Sequence, residues 1–144
     1  MLDLRMRRQK NFTLVELLLV LAIIGIISGI AIPAFMGQRK RARVIGDAKA
    51  NAAALAMQME SRKAETGIYA ASGTAVTWTK GVPSDATFMP NFTLKNATQM
   101  NYSLITTNGG VGYKITVTDP YQGSAQVLTV DQTGAVVLNA TYNR

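Results

Sequence analysis

From Leu17 to Met36 the chain carries no charged side chain. At about 1.5 Å of rise per helical residue this run reaches about 30 Å, the depth of a bilayer's hydrocarbon core. It constrains the fold more than anything else in the sequence, because a chain of 144 residues cannot supply enough further apolar material to wrap such a rod in a soluble core. A single membrane crossing is predicted. A secretory signal peptide fits less well, since its apolar region is shorter and ends at a small-residue cleavage site instead of running on into a helical pattern.

The charges agree with that reading. The net charge is +7, but Arg5, Arg7, Arg8 and Lys10 precede the run, Arg39, Lys40, Arg41 and Arg43 follow it, and the rest of the chain is nearly balanced. Basic flanks around an apolar segment suit lipid headgroups, and the cluster Arg39 to Arg43 is expected to anchor there. They do not form a stripe on a folded face, so direct nucleic-acid binding is disfavoured. The two flanks are of similar strength and do not fix orientation. There is no cysteine and no histidine. Disulfides, thiol nucleophiles, common zinc sites and imidazole acid–base catalysis are thereby excluded. No metal, no cofactor and no enzymatic activity are expected.

Glu16 stands at the edge of the run. An acid there can reach the headgroup region, and near a helix amino terminus it gains from the macrodipole. The residues alone leave open whether it is tolerated at the lip of the membrane or has work to do.

The stretch FTLVELLLVLAIIGIISGIAIPAF, preceded by a basic leader ending QKN, resembles the type III signal segment of bacterial type IV prepilins and type II secretion pseudopilins. Phe12, Thr13, Leu14, Glu16, the apolar run and Pro33 fall where that family has them, over the first third of the chain. The resemblance implies that 1–11 is a leader, cut by a membrane peptidase between Asn11 and Phe12, and that Phe12 becomes an N-methylated first residue. It implies that segment 12–36 is held in the inner membrane and then packs with copies of itself into a homo-oligomeric helical filament outside the cell. Thr13 and Leu14 would belong to the processing motif. Glu16 would neutralise the amine of a neighbouring Phe12, offsetting the several kcal/mol that an unpaired carboxylate costs in a dry core. Implied partners are the prepilin peptidase and methylase, an inner-membrane platform protein, its assembly ATPase and, before assembly, membrane lipid. One position departs from the pattern: the family has glycine before the cut, and here it is Asn11, the ordinary residue that best tolerates left-handed backbone angles.

Gly25, Ser28, Gly29 and Pro33 weaken the helix and offer a small-residue face for close helix approach. A kink is expected at Pro33, and the resemblance implies loss of helix between Gly25 and Pro33 in the polymer. Segment 37–66 continues as an amphipathic half with Ile45, Ala48, Ala52, Leu55 and Met59 on one stripe, and Gly67 is a natural stop. Segment 67–99, rich in Gly, Ser, Thr and Pro, reads as a loop pinned by Trp78, Phe88, Met89 and Phe92. In 100–144, strands are predicted at 101–106, 112–118, 125–130 and 135–139, with Asn108-Gly109-Gly110 and Asp131-Gln132-Thr133-Gly134 as turns. The expected architecture is α+β: the type IV pilin fold, one long helix with a membrane-spanning and an amphipathic half, packed on a four-stranded antiparallel sheet. Pilins usually tie the segment after the sheet's middle with a disulfide, so strand pairing and turn chemistry must hold it here.

Asn91, Asn96, Asn101 and Asn139 open formal glycosylation sequons that an Asn- and Thr-rich surface produces by composition, and Asp119 and Asp131 read as turn residues, not a calcium loop. The expectation is thus a structural pilus subunit. The alternatives are a type II secretion pseudopilin and an unprocessed single-pass membrane protein with a small binding domain. Adhesion, motility and DNA uptake are not distinguished by the sequence.

Overall fold

In the computed structural model, residues 12–90, 92–96 and 99–142 are described. They fall into two compact units, with the boundary after Arg39. The first helix, α1, is Leu14–Thr66, and Pro33 lies inside it. Six strands follow: β1 (Ala75–Thr79), β2 (Val82–Pro83), β3 (Asn101–Thr107), β4 (Gly112–Asp119), β5 (Ala125–Asp131) and β6 (Val136–Leu138). They form one antiparallel sheet in the order β2-β1-β3-β4-β5-β6.

In the first unit the helix is apolar and bare. Its Leu, Ile, Val and Phe side chains from Phe12 to Phe35 are exposed on every side. A helix that is hydrophobic all round needs lipid or other helices to cover it.

In the second unit α1 changes character. Val44, Ala48, Asn51, Ala52, Leu55 and Met59 are buried at spacings of three and four, while Ile45 is partly buried beside them. The sheet supplies the opposite wall, with Val76, Trp78, Tyr102, Leu104, Tyr113, Ile115, Val117, Leu128 and Val130 turned inward. The helix ends where Gly67 takes φ 83° and its N–H donates to the Lys63 carbonyl at 2.8 Å.

The strands expected after residue 100 are β3 to β6. The sheet gains two more from the stretch read as loop. Ala75-Val76-Thr77-Trp78-Thr79 alternates exposed and buried, and Lys80 and Gly81, with φ 50° and 87°, turn the chain back into β2. Two positive φ values in a two-residue turn match the right-handed twist of the flanking strands. Between β4 and β5 the register shifts at Val117/Thr118, so Val127 and Leu128 both enter the core, and the Val127 carbonyl accepts a hydrogen bond from the Asn139 N–H at 2.9 Å.

Asn51 is the polar residue on the buried stripe. Its Nδ2 donates to the Lys95 carbonyl at 2.7 Å and to the Tyr102 hydroxyl at 2.9 Å, and its Oδ1 accepts from the Lys95 N–H at 3.1 Å. One side chain thus fastens the long β2–β3 connection to the helix as a strand partner would. Asn51→Ala leaves both Lys95 backbone groups without those partners and is expected to cost about 2–3 kcal/mol, read as a lowered unfolding midpoint in denaturant.

Two tyrosines share the other end of the core. The Tyr69 hydroxyl donates to Glu60 at 2.8 Å, and the Tyr69 and Tyr113 rings meet edge-on at 4.8 Å. Burial, then the nearby Glu60 carboxylate, pushes the Tyr113 phenol up to about 12. Burial and the bond to Glu60 raise Tyr69, and burial raises Tyr102. The fold therefore favours the neutral phenols. Their contribution is complete below about pH 10, where the unfolded phenols are also protonated, and declines as pH rises toward about 12. Thermal midpoints are expected to fall across that window, alongside a tyrosinate absorbance rise delayed relative to free tyrosine.

At the carboxy-terminal end, the Tyr142 hydroxyl donates to Asp119 Oδ2 at 2.7 Å, and the Tyr121 N–H donates to Asp119 Oδ1 at 2.8 Å. Both Asp119 and Tyr142 are buried. The Arg41 guanidinium donates to the Tyr142 carbonyl. Arg41, one of the cluster expected at lipid headgroups, here holds Tyr142. Its helical neighbours Arg39, Lys40 and Arg43 are exposed.

Candidate functional site

The helix opens at Thr13-Leu14-Val15-Glu16. The first turn of any helix leaves backbone N–H groups without intrahelical partners. Here the Thr13 N–H and the Thr13 hydroxyl both donate to Glu16 Oε2 at 2.8 Å, and the Glu16 N–H donates to Thr13 Oγ1 at 3.2 Å. The Leu17 N–H then donates to the Thr13 carbonyl at 3.3 Å. This is a reciprocal capping box, with threonine before the helix and glutamate at its third position. The spacing T-x-x-E carries that signal in the sequence itself.

The box gives Glu16 a fixed place. Its carboxylate lies over the positive end of the helix, held by one oxygen; among the described residues Oε1 accepts no bond. Phe12 precedes the box and is 86% exposed. The expected cut lies at Asn11, which is outside the described residues. The structure therefore brings Phe12, Thr13 and Glu16 together at one helix start.

Gly25, Gly29 and Pro33 lie farther along α1. A Cβ added at Gly25 or Gly29 would meet nothing within 4 Å. Among the described residues nothing requires glycine there. Pro33 has no N–H, so the Gly29 carbonyl one turn earlier has no i+4 amide to receive.

Farther from the helix start, two sequon asparagines have structural tasks. Asn139 Oδ1 accepts from the Thr141 N–H and hydroxyl while its Nδ2 donates to the Gln126 carbonyl at 2.8 Å. Asn96 Nδ2 donates to Asp47 at 3.2 Å. Asp131 likewise closes a turn through Thr133 and gathers no cluster of oxygens; among the described residues no group of acids could hold a metal ion. A small cleft of about 170 Å³ lies between α1 and the loop at Phe88 to Phe92, where the Arg62 guanidinium stacks on the Phe88 ring at 4.7 Å.

Residues 6–32 match the family described as the prokaryotic N-terminal methylation motif. The chain is 54% identical over 39 residues to a fimbrial protein of Moraxella nonliquefaciens, covering 27% of this chain and 25% of that one. It is 43% identical over 53 residues to fimbrial protein Q of Moraxella bovis, covering 35% of this chain and 34% of the relative. Over 36 residues it is 50% identical to the type IV major pilin protein PilE1 of Neisseria gonorrhoeae, covering 25% and 22%. The similarity thus spans about a quarter to a third of each relative's length. No solved structure matches the chain. Residues 6–32, which include the Thr13–Glu16 box, thus match the prokaryotic N-terminal methylation motif, and the relatives that share this region are a type IV major pilin and fimbrial proteins.

Proposed function

We propose that this chain is the structural subunit of a type IV pilus filament. It is stored as a single-pass protein of the inner membrane, cut between Asn11 and Phe12, N-methylated at Phe12, and polymerised outside the cell through Phe12 to Phe35. The observation that carries this reading is an apolar helix, bare on every side, that begins with a capped carboxylate inside a methylation motif. Cutting before Phe12 creates an ammonium one residue ahead of the box. Glu16 Oε1 is the acceptor that would receive the ammonium of an adjoining copy, a charge-assisted bond made in a dry surrounding. The glycines at 25 and 29, which nothing among the described residues requires, suit close approach of neighbouring helices, and the gap in the ladder at Gly29–Pro33 is where the helix would open in the polymer. Names of the relatives favour the pilus over a secretion pseudopilin. The working partners would be copies of itself, a prepilin peptidase and methylase, a platform protein and an assembly ATPase.

Intact mass and amino-terminal sequencing of the protein recovered from sheared surface filaments test this directly. The expected first residue is N-methyl-phenylalanine at position 12. A chain that retains Asn11 and is never found in filaments would overturn the reading.

A further inference from the structure

The turn that joins β3 to β4 is Asn108-Gly109-Gly110. Asn108 is the one asparagine of the sequence that glycine follows. Its surroundings set it apart as well. The side chains of Asn51, Asn96, Asn101 and Asn139 are each held in a hydrogen bond. Among the described residues the Asn108 side chain has no such partner, and both it and Gly109 are exposed. The backbone is loosely held at the same place. Asn108 takes φ 52°, a left-handed angle that costs a residue with a Cβ, and the bond that its carbonyl receives from the Val111 N–H is long at 3.4 Å. Turning the peptide plane between Asn108 and Gly109 therefore breaks little. Beside it, a Cβ added at Gly109 would meet nothing within 4 Å, so there is room for a ring.

We propose that Asn108-Gly109 is a self-modification site, where the chain loses the Asn108 amide and lengthens its own backbone. Asparagine is a thermolabile residue, and a following glycine leaves its nitrogen unshielded by a side chain. The Gly109 nitrogen, giving up its proton, attacks Asn108 Cγ. The new N–Cγ bond closes a succinimide ring, the Cγ–Nδ2 bond breaks, and Nδ2 departs as ammonia with that proton. Water then opens the ring at either carbonyl. Cleavage of the new bond leaves aspartate at 108. Cleavage of the original peptide bond leaves isoaspartate, whose main chain runs on through Cβ and Cγ. Water is taken up and ammonia released, with no oxidant and no cofactor. The isoaspartate has consequences beyond the turn. Gly110 sits so close to Ala70 that an added Cβ would stand 2.1 Å from its carbonyl oxygen, and the Gly110 carbonyl accepts from the Tyr69 N–H at 2.8 Å. An extra main-chain atom just ahead of Gly110 displaces both contacts and releases the turn from the chain leaving α1. The reaction needs this turn and water alone, so it does not depend on the filament reading.

The test is to hold the full-length chain in detergent for weeks at mildly alkaline pH. Peptide mass spectrometry, with fragmentation that separates aspartate from isoaspartate, then follows each asparagine. The amide at Asn108 is expected to be lost first, giving isoaspartate as well as aspartate, while Asn51, Asn96, Asn101 and Asn139 keep theirs. Asn108 intact at the end, loss no faster than at the other asparagines, or aspartate without isoaspartate would overturn the site. Gly109→Ala sets a methyl beside the attacking nitrogen and should slow the loss to the pace of the other asparagines. Loss at the wild-type pace from that variant would also overturn it. The aged chain, enriched in isoaspartate, should melt about 5 °C lower, as for the loss of one hydrogen bond. Asn108→Asp carries the new charge without the extra atom and should melt as the wild type does. An unchanged midpoint in the aged chain, or an equal fall in Asn108→Asp, would overturn the release of the turn.

Discussion

Glu16→Gln is expected to start its helix normally, enter the membrane normally and fail to compete for a place in the filament. Glutamine at the third helical position still accepts from the Thr13 N–H, so the cap survives. What disappears is the negative charge. A buried ammonium deprived of its partner costs about 3–5 kcal/mol, which corresponds to a loss of incorporation of about a hundredfold or more. Measured as the fraction of tagged variant in sheared filaments from cells that also express wild-type chain, Glu16→Gln should be nearly absent. Glu16→Val should be no better, since it loses the charge and the cap together. Thr13→Val, which keeps the charge and removes the cap, should weaken the helix start by about 1 kcal/mol and compete far better than either. Glutamine at wild-type abundance would mean that Glu16 serves as a helix cap and nothing more.

Gly110→Ala is expected to lower the unfolding midpoint of the detergent-solubilised chain by about 10–20 °C, following a loss of about 3 kcal/mol in a domain of this size. Two effects coincide at this residue. Its φ is 89°, in the region that strains any residue with a Cβ. A Cβ would also stand 2.1 Å from the Ala70 carbonyl oxygen, a backbone atom with no rotamer to escape through. Moving that carbonyl disturbs the bond from the Tyr69 N–H to the Gly110 carbonyl, 2.8 Å, which ties the β3–β4 turn to the chain leaving α1. Gly109→Ala is the control, because Gly109 shares the positive φ at 70° while nothing lies within 4 Å of its added Cβ. It should cost about 1 kcal/mol. Equal losses at the two positions would show that the Ala70 approach does not matter.

The parts of this fold that sequence reveals are those with a strong period and a marked end. The apolar run, the stripe through Ala48, Ala52, Leu55 and Met59, and the stop at Gly67 could all be read directly, as could β3 to β6 with their turns. β1 and β2 were hidden by composition. Val76 and Trp78 alternate with threonines, but the surrounding glycines, serines and prolines read as loop. Asn51 was unreadable for the opposite reason: one polar residue on an apolar stripe looks like an interruption until the loop that it binds is in place. At the helix start, the residues were legible and their mutual arrangement was not. Phe12 and Glu16 stood out by type, while the bonds through Thr13 that fix the carboxylate appear once the first turn is built.

The clasp of Tyr142 on Asp119 and Arg41 sets what this domain demands of its surroundings. Where a covalent bridge would need an oxidase to make it and an isomerase to correct it, these hydrogen bonds form as soon as the strands meet. Folding of this domain is then indifferent to the redox state of its surroundings, and Tyr142 stays fastened in strong reductant.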